Sequence, residues 1–160
     1  MRAKHAYSAH CLRSGIFDDL DSFPALESRL SALASNKERG DAFEVFAEAY
    51  LATQKIALAS DVWPFEAIPQ AKRQQLSLDT GRDMGVDGIY ETTDGELRAY
   101  QVKFRSRRPA LTWDELSTFM GLTDQVGQRV LFTNCDTLPS LMQDRSGFVA
   151  IRGSDFDRLT

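Results

Sequence analysis

Cysteine is nearly absent from this sequence. Cys11 and Cys135 are the only two, and they lie too far apart to suggest a disulfide framework. No apolar run approaches the ~20 residues of a membrane-spanning helix, so neither a transmembrane segment nor a membrane partner is expected. The first fifteen residues include Arg2, Lys4, His5, His10 and Arg13 but no apolar core, which argues against a secretory signal. These absences together predict a cytoplasmic protein. Histidine is scarce too. His5, His10 and Cys11 give only three candidate zinc ligands at a spacing that fits no structural zinc pattern. Asp79, Asp83 and Asp87 recur every fourth residue, whereas an EF-hand loop needs oxygen ligands at alternate positions, so calcium binding of that type is excluded. Nor is positive charge in excess. Lys and Arg number 19 against 23 Asp and Glu, for a net charge of −4 at pH 7. That balance argues mildly against a free-standing DNA-binding protein. It leaves room for a local basic patch, because phosphate contacts depend on where the charge sits.

What is present describes an ordinary globular chain. Its 160 residues, 42% apolar and 26% charged, fit one domain with a real core. Pro24 to Ala34 places Leu26, Leu30 and Leu33 on one helical stripe. Ser35 and Glu38 form a capping-box pattern, and the helix it opens should run to about Gln54. Phe43, Phe46, Ala47, Tyr50 and Leu51 give that helix its apolar face. Asp41, Glu44 and Glu48 form a separate acidic line, read either as a solvated face or as part of a cation site. Asp61 to Phe65 reads as a loop or strand end, because the residue before Pro64 is biased away from helix. Phe65 to Leu76 holds a short helix interrupted by Pro69, and Ser77 to Gly85 is a loop. Thr112 and Glu115 form a second capping box, for a helix from Trp113 to about Asp124. Arg129 to Thr133 and Phe148 to Ile151 are short buried strands, with a helical turn or two over Leu138 to Gln143 between them. A nascent helix from Ser154 is cut off at Thr160. A hairpin followed by helix-linked strands predicts an α/β fold, a mixed β-sheet flanked by helices.

The hairpin lies within the stretch from Gly81 to Arg108. Two strands face each other across Thr93-Asp94-Gly95, the first carrying the lone acid Asp87. The second, Ala99 to Phe104, alternates: Tyr100, Val102 and Phe104 share one face, Gln101 and Lys103 the other. A carboxylate, an amide and an ammonium are thereby expected to converge. Lys103, Arg105, Arg107 and Arg108 follow within six residues, as a solvated strand end or a phosphate-binding lip.

These motifs in order resemble the PD-(D/E)xK nuclease superfamily, and within it the Mrr-like restriction endonuclease domain. They are Phe43-Glu44, then Asp83-Met84-Gly85-Val86-Asp87, then Gln101-Val102-Lys103, with Thr112 to Phe119 and Arg129 to Asn134 behind them. The resemblance covers about residues 36–156. It implies a restriction-endonuclease-like domain over residues 36–160 preceded by an N-terminal helical extension, 1–35. It implies catalytic roles for Asp87, Gln101, Lys103 and Glu44, with Glu48 as the alternative helix carboxylate. It further implies Mg2+, with Mn2+ as a substitute, held by Asp87, Gln101, Glu44 and the Val102 carbonyl. Such donors suit magnesium, which takes one or two carboxylates, a carbonyl and waters. Gln101 stands where the superfamily name has an acid, which leaves fewer formal charges to hold the ion. The implied partners are DNA, met by Arg105, Arg107 and Arg108, and a helicase or translocase domain in a longer chain of a restriction or defence system. A homodimer is compatible with the sequence. The abrupt stop at Thr160 fits a fragment, and a complete small nuclease is the other reading. A catalytically inactive nucleic-acid-binding or docking module of the same fold is the alternative function, and a scaffold domain with a covered polar hairpin ranks behind it.

Overall fold

The structure, a computed structural model, describes residues 3–54, 58–78, 85–123, 126–142 and 147–159. Three helices come first: α1 (Ser8–Ser14), α2 (Phe23–Ser31) and α3 (Asn36–Thr53). Strand β1 (Ala59–Pro64), a 3-10 turn at Phe65–Ala67 and α4 (Gln70–Gln75) follow. Then come β2 (Gly88–Thr92), β3 (Leu97–Lys103), α5 (Trp113–Leu122) and β4 (Gln128–Thr133). A second 3-10 turn (Ser140–Met142), β5 (Phe148–Ile151) and α6 (Gly153–Phe156) complete the order. Asp79, Asp83, Met84 and Thr160, which figure in the sequence reading, lie outside the described residues.

Local signals set the element boundaries. The Ser35 hydroxyl accepts the Glu38 N–H at 3.1 Å and opens α3. Thr112 and Glu115 form a full reciprocal box at the start of α5, with the Thr112 N–H donating to Glu115 Oε2 at 2.8 Å. The turn between β2 and β3 closes through Gly95, whose φ of 88° suits glycine and whose N–H donates to Thr92 O at 2.9 Å.

The five strands form one sheet in the order β1-β2-β3-β4-β5. The first three are antiparallel, while β3–β4 and β4–β5 are parallel. Parallel neighbours need a crossover, and α5 supplies it between β3 and β4. This is the expected α/β class with a mixed sheet.

One strand departs from expectation. Ala59–Pro64 is a full edge strand, paired with β2 from Ala59↔Thr92 to Pro64↔Gly88. Its sequence, Ala-Ser-Asp-Val-Trp-Pro, has little apolar alternation. Pro64 is tolerated because it sits at the end of an edge strand, where its missing N–H breaks no interior ladder.

Alternation along the strands divides the core in two. Tyr90, Tyr100, Val130 and Phe132 face α2, α3 and α6, meeting Leu30, Phe43, Leu51 and Phe156. Ile89, Ala99 and Leu131 face the other way, against Leu116, Phe119 and Met120 of α5. Each Val, Leu, Ile, Phe or Met side chain removed from water contributes roughly 1.5–3 kcal/mol. Cys11, Phe23, Leu26 and Leu30 belong to the first core, so the N-terminal helices share the hydrophobic centre of α3. Both cysteines are buried and free.

Candidate active site

The site starts at Asp87, the residue before β2. Its N–H donates to Tyr100 O at 3.0 Å and its carbonyl accepts the Phe65 N–H at 2.9 Å, tying the backbone to both neighbours. Two residues along β3, the Val102 N–H donates to the Asp87 carboxylate, Oδ2, at 2.6 Å. A side-chain oxygen thus accepts a main-chain N–H of β3, and this fixes the carboxylate against that strand.

Glycine permits this approach on both sides of Asp87. A Cβ on Gly88 would lie 2.3 Å from the tip of the Tyr100 ring and 2.6 Å from Trp63 O, so no side chain fits there. Gly85 has a φ of 104°, and a Cβ on it would lie 3.3 Å from both Gln101 Nε2 and Phe119 N.

Glu44 comes to the same place from α3. Glu44 and Asp87 both line a cleft of about 450 Å³, together with His5, Lys37, Asp41 and Glu66. Lys37 is paired with Asp41 at 2.7 Å on the outer turn of α3. His5 Nε2 lies 3.2 Å from Glu44 Oε2, and ligand-capable atoms of His5, Asp41 and Glu44 lie within 4.8 Å of one another. Burial lowers the pKa of His5 below its usual value, against the opposing pull of the Asp41, Glu48, Asp87 and Glu66 carboxylates.

Glu48, one turn beyond Glu44, holds a different position. It is 3% exposed, and its two oxygens accept the backbone N–H groups of Lys4 (2.8 Å) and His5 (3.1 Å). It anchors the N-terminal strap to α3. Lys4 reinforces the anchor by donating to Val62 O at 2.6 Å and pairing with Asp61.

Gln101 and Lys103 project to the face of β3 opposite Tyr100 and Val102, as alternation requires. Gln101 is 2% exposed, and its Oε1 has no hydrogen-bond partner among the described residues. Lys103 is half-buried. The described walls of the Glu44–Asp87 cleft include neither. The structure therefore places Glu44 and Asp87 on the walls of one cleft, and joins Asp87 to β3 through the Val102 N–H.

The arginines after β3 divide by environment. Arg108 is held by Glu27 (2.6 and 2.9 Å) and Asp157 (2.7 and 2.9 Å), with Asp136 at 3.4 Å. The hydrogen bonds to Asp157 and Glu27 raise its pKa, so its charge is permanent. Arg105 pairs with Glu115 at 2.8 Å, and its backbone is clamped by the buried Asn134, which accepts its N–H at 2.9 Å and donates to its carbonyl at 2.6 Å. Arg107 is exposed, in a left-handed conformation with φ of 67°.

His5 is the residue that sequence reasoning passed over. Its partner is 39 positions away, and the zinc test that set aside His5, His10 and Cys11 says nothing about a carboxylate on α3. His10 stacks on Tyr7 and Cys11 is buried in the core, so the three do not assemble.

The Mrr_cat_2 restriction endonuclease family matches residues 49–139, more than half of the chain. That segment includes Asp87, Gln101, Val102 and Lys103 but starts after Glu44. Among solved structures, the ATP-dependent Type ISP restriction-modification enzyme LlaBIII bound to DNA is similar, with a TM-score of 0.64 and 20% identity. The match covers 87% of this chain and 8% of that one, and the likeness is one of fold. No curated protein gives a significant match. With its mixed sheet, its flanking helices and the matched segment that carries the hairpin, the chain belongs to the restriction endonuclease family.

Proposed function

We propose that this domain hydrolyses DNA phosphodiester bonds with a divalent cation, Mg2+ or in its place Mn2+, held by Asp87 and Glu44. One observation carries the reading: two carboxylates from separate elements, α3 and the start of β2, line one cleft, and one of them is fixed to β3 by the Val102 N–H. The donors suit the ion. Carboxylate oxygens are hard ligands, and the buried Gln101 Oε1, without a hydrogen-bond partner among the described residues, is an amide oxygen of the kind such ions accept. The Val102 carbonyl is the remaining donor in this reading. A bound divalent ion supplies an activated water and neutralises charge on the phosphate oxygens.

The chain's own residues do the rest. Asp87 and Glu44 set the position of the charge. Lys103 orients the attacking water or stabilises negative charge developing on the phosphate. Arg107 is the exposed cation of the basic lip, while Arg105 and Arg108 also carry intramolecular ion pairs. The ATP-dependent enzyme of similar fold is bound to DNA, and this chain corresponds to 8% of it. On that likeness the domain works within a longer restriction protein, joined to an ATP-driven helicase or translocase.

A second reading, a docking or DNA-binding module without catalysis, is favoured by one feature: Gln101 and Lys103 are not among the described walls of the cleft. Nicking of supercoiled plasmid separates the two. The nuclease reading expects Mg2+-dependent nicking that EDTA blocks and that Asp87→Asn removes. A folded wild-type domain that binds DNA but never nicks it, with either cation, leaves the docking reading standing.

A further inference from the structure

We propose that His5 is a positioning residue for Glu44, so that the N-terminal strap, outside the segment the family match covers, is a working part of the site. The inference rests on the reading of Glu44 as a cation ligand given above. Four hydrogen bonds define the device. The buried Glu48 carboxylate accepts the backbone N–H groups of Lys4 and His5, which fixes the strap on α3 one turn from Glu44. The Tyr7 N–H then donates to His5 Nδ1 at 3.0 Å. A backbone N–H has only a proton to give, so Nδ1 must be the bare nitrogen, and in the neutral ring the proton sits on Nε2. That Nε2 faces Glu44 Oε2 at 3.2 Å and donates to it.

This tautomer decides between two roles for His5. The proximity of His5, Asp41 and Glu44 suggests a three-ligand metal site. Direct ligation through Nε2 would move the proton to Nδ1 and set it against the Tyr7 N–H. The backbone thus selects the donor form, and a donor to a carboxylate acts as an outer-shell support. Such a hydrogen bond holds one oxygen of Glu44 in place and keeps its charge localised. Loss of outer-shell partners of metal ligands typically costs 10–100-fold in metal affinity or activity. The Glu48 clamp acts on the backbone, so it survives a change of the His5 side chain.

The test uses two amides in place of the ring. His5→Gln carries an N–H donor to about the position of Nε2, whereas His5→Asn stops near the position of Nδ1 and cannot reach Glu44. Both keep a polar side chain on the strap. Mn2+ binding is measured by titration calorimetry for wild type, His5→Gln, His5→Asn and Glu44→Gln, with plasmid nicking and thermal melting on the same preparations. The expected result is a loss of Mn2+ affinity of about 10-fold or more in His5→Asn. His5→Gln should stay within a few-fold of wild type, and the metal-free melting temperatures should be similar. Equal Mn2+ affinity in wild type and His5→Asn overturns the inference, as does a loss in His5→Asn that His5→Gln fails to restore. Affinity that falls in Glu44→Gln but not in His5→Asn removes His5 alone and keeps the site. A wild type that binds no Mn2+ overturns the site reading, and this inference with it.

Discussion

The Asp87 carboxylate and the Val102 amide share a 2.6 Å hydrogen bond that makes a side chain part of the sheet ladder. Asp87→Asn keeps an oxygen for that bond and loses only the charge. The folded domain should therefore melt within a few degrees of wild type, while Mn2+ affinity and nicking fall by at least 10-fold and DNA affinity holds or rises. Calorimetry, plasmid nicking and gel shift on one preparation check this. Full nicking by the folded variant sinks the proposed role of Asp87.

Glu48 and the strap give a second prediction. A buried carboxylate that satisfies two backbone N–H groups leaves both unpaired when it is removed. Each unsatisfied buried donor costs about 1–3 kcal/mol. Glu48→Ala should lower stability and release the strap, seen as faster hydrogen exchange at the Lys4 and His5 amides. Unchanged exchange there would assign the anchoring to Lys4 and its contacts with Asp61 and Val62 instead.

Arg107 and Arg108 are neighbours with opposite expectations. Arg107→Ala should leave melting unchanged and, if the residue meets a phosphate, reduce the salt slope of duplex binding by about one unit. Arg108→Ala should instead unfold the domain at lower temperature, because Glu27 and Asp157 lose their common cation. The Arg108 hydrogen bonds hold the Asp157 pKa below its usual 3.8. A depressed folded-state value contributes stability that is complete above the unfolded value and is lost as pH falls from there through the folded one. Melting temperature followed downward from about pH 5 should therefore fall less steeply in Asp157→Asn than in wild type. Parallel curves would show that the pair contributes little under solvent screening.

Much of this fold is legible because its signals are local. The Ser35 and Thr112 caps, the helical stripe from Phe43 to Leu51 and the alternation from Ala99 to Phe104 each lie within one element. Other features depend on residues far apart. Strand β1 is a strand because Val62 and Trp63 pair with Tyr90 and Ile89, not because its own pattern says so. Arg108 sits in a basic run, but its partners are 81 and 49 positions away. The clamp of Glu48 on Lys4 and His5 spans 44 and 43 positions, and no spacing rule reaches that far. The sequence puts Asp87 on the first strand of the hairpin, whereas the structure places it one residue ahead of β2. The identity of its hydrogen-bond donor needed the register Gly88↔Tyr100.

Gln101 carries the last prediction. It is buried, and its Oε1 lacks a hydrogen-bond partner among the described residues, at the position where the wider superfamily resembled by this chain has an acid. Gln101→Glu changes almost nothing in shape and introduces a charge. Without a cation, that carboxylate is desolvated, because the side chain at this position is 2% exposed. Burial then raises its pKa above the ordinary ~4.3 of glutamate. A raised folded-state value for an acid means that the folded state binds the extra proton, so stability falls as pH rises through that value. In EDTA the variant should melt several degrees below wild type at pH 7 and recover part of the difference near pH 5. With Mg2+ or Mn2+ the sign reverses if Gln101 is a ligand: the added charge strengthens cation binding, and binding to the folded state alone raises its stability. The variant should then gain more melting temperature from the cation than wild type does. Melting scans at both pH values, with and without cation, give the four numbers required. A variant destabilised equally in EDTA and in excess Mn2+ would remove Gln101 from the metal site and leave the site to Asp87 and Glu44.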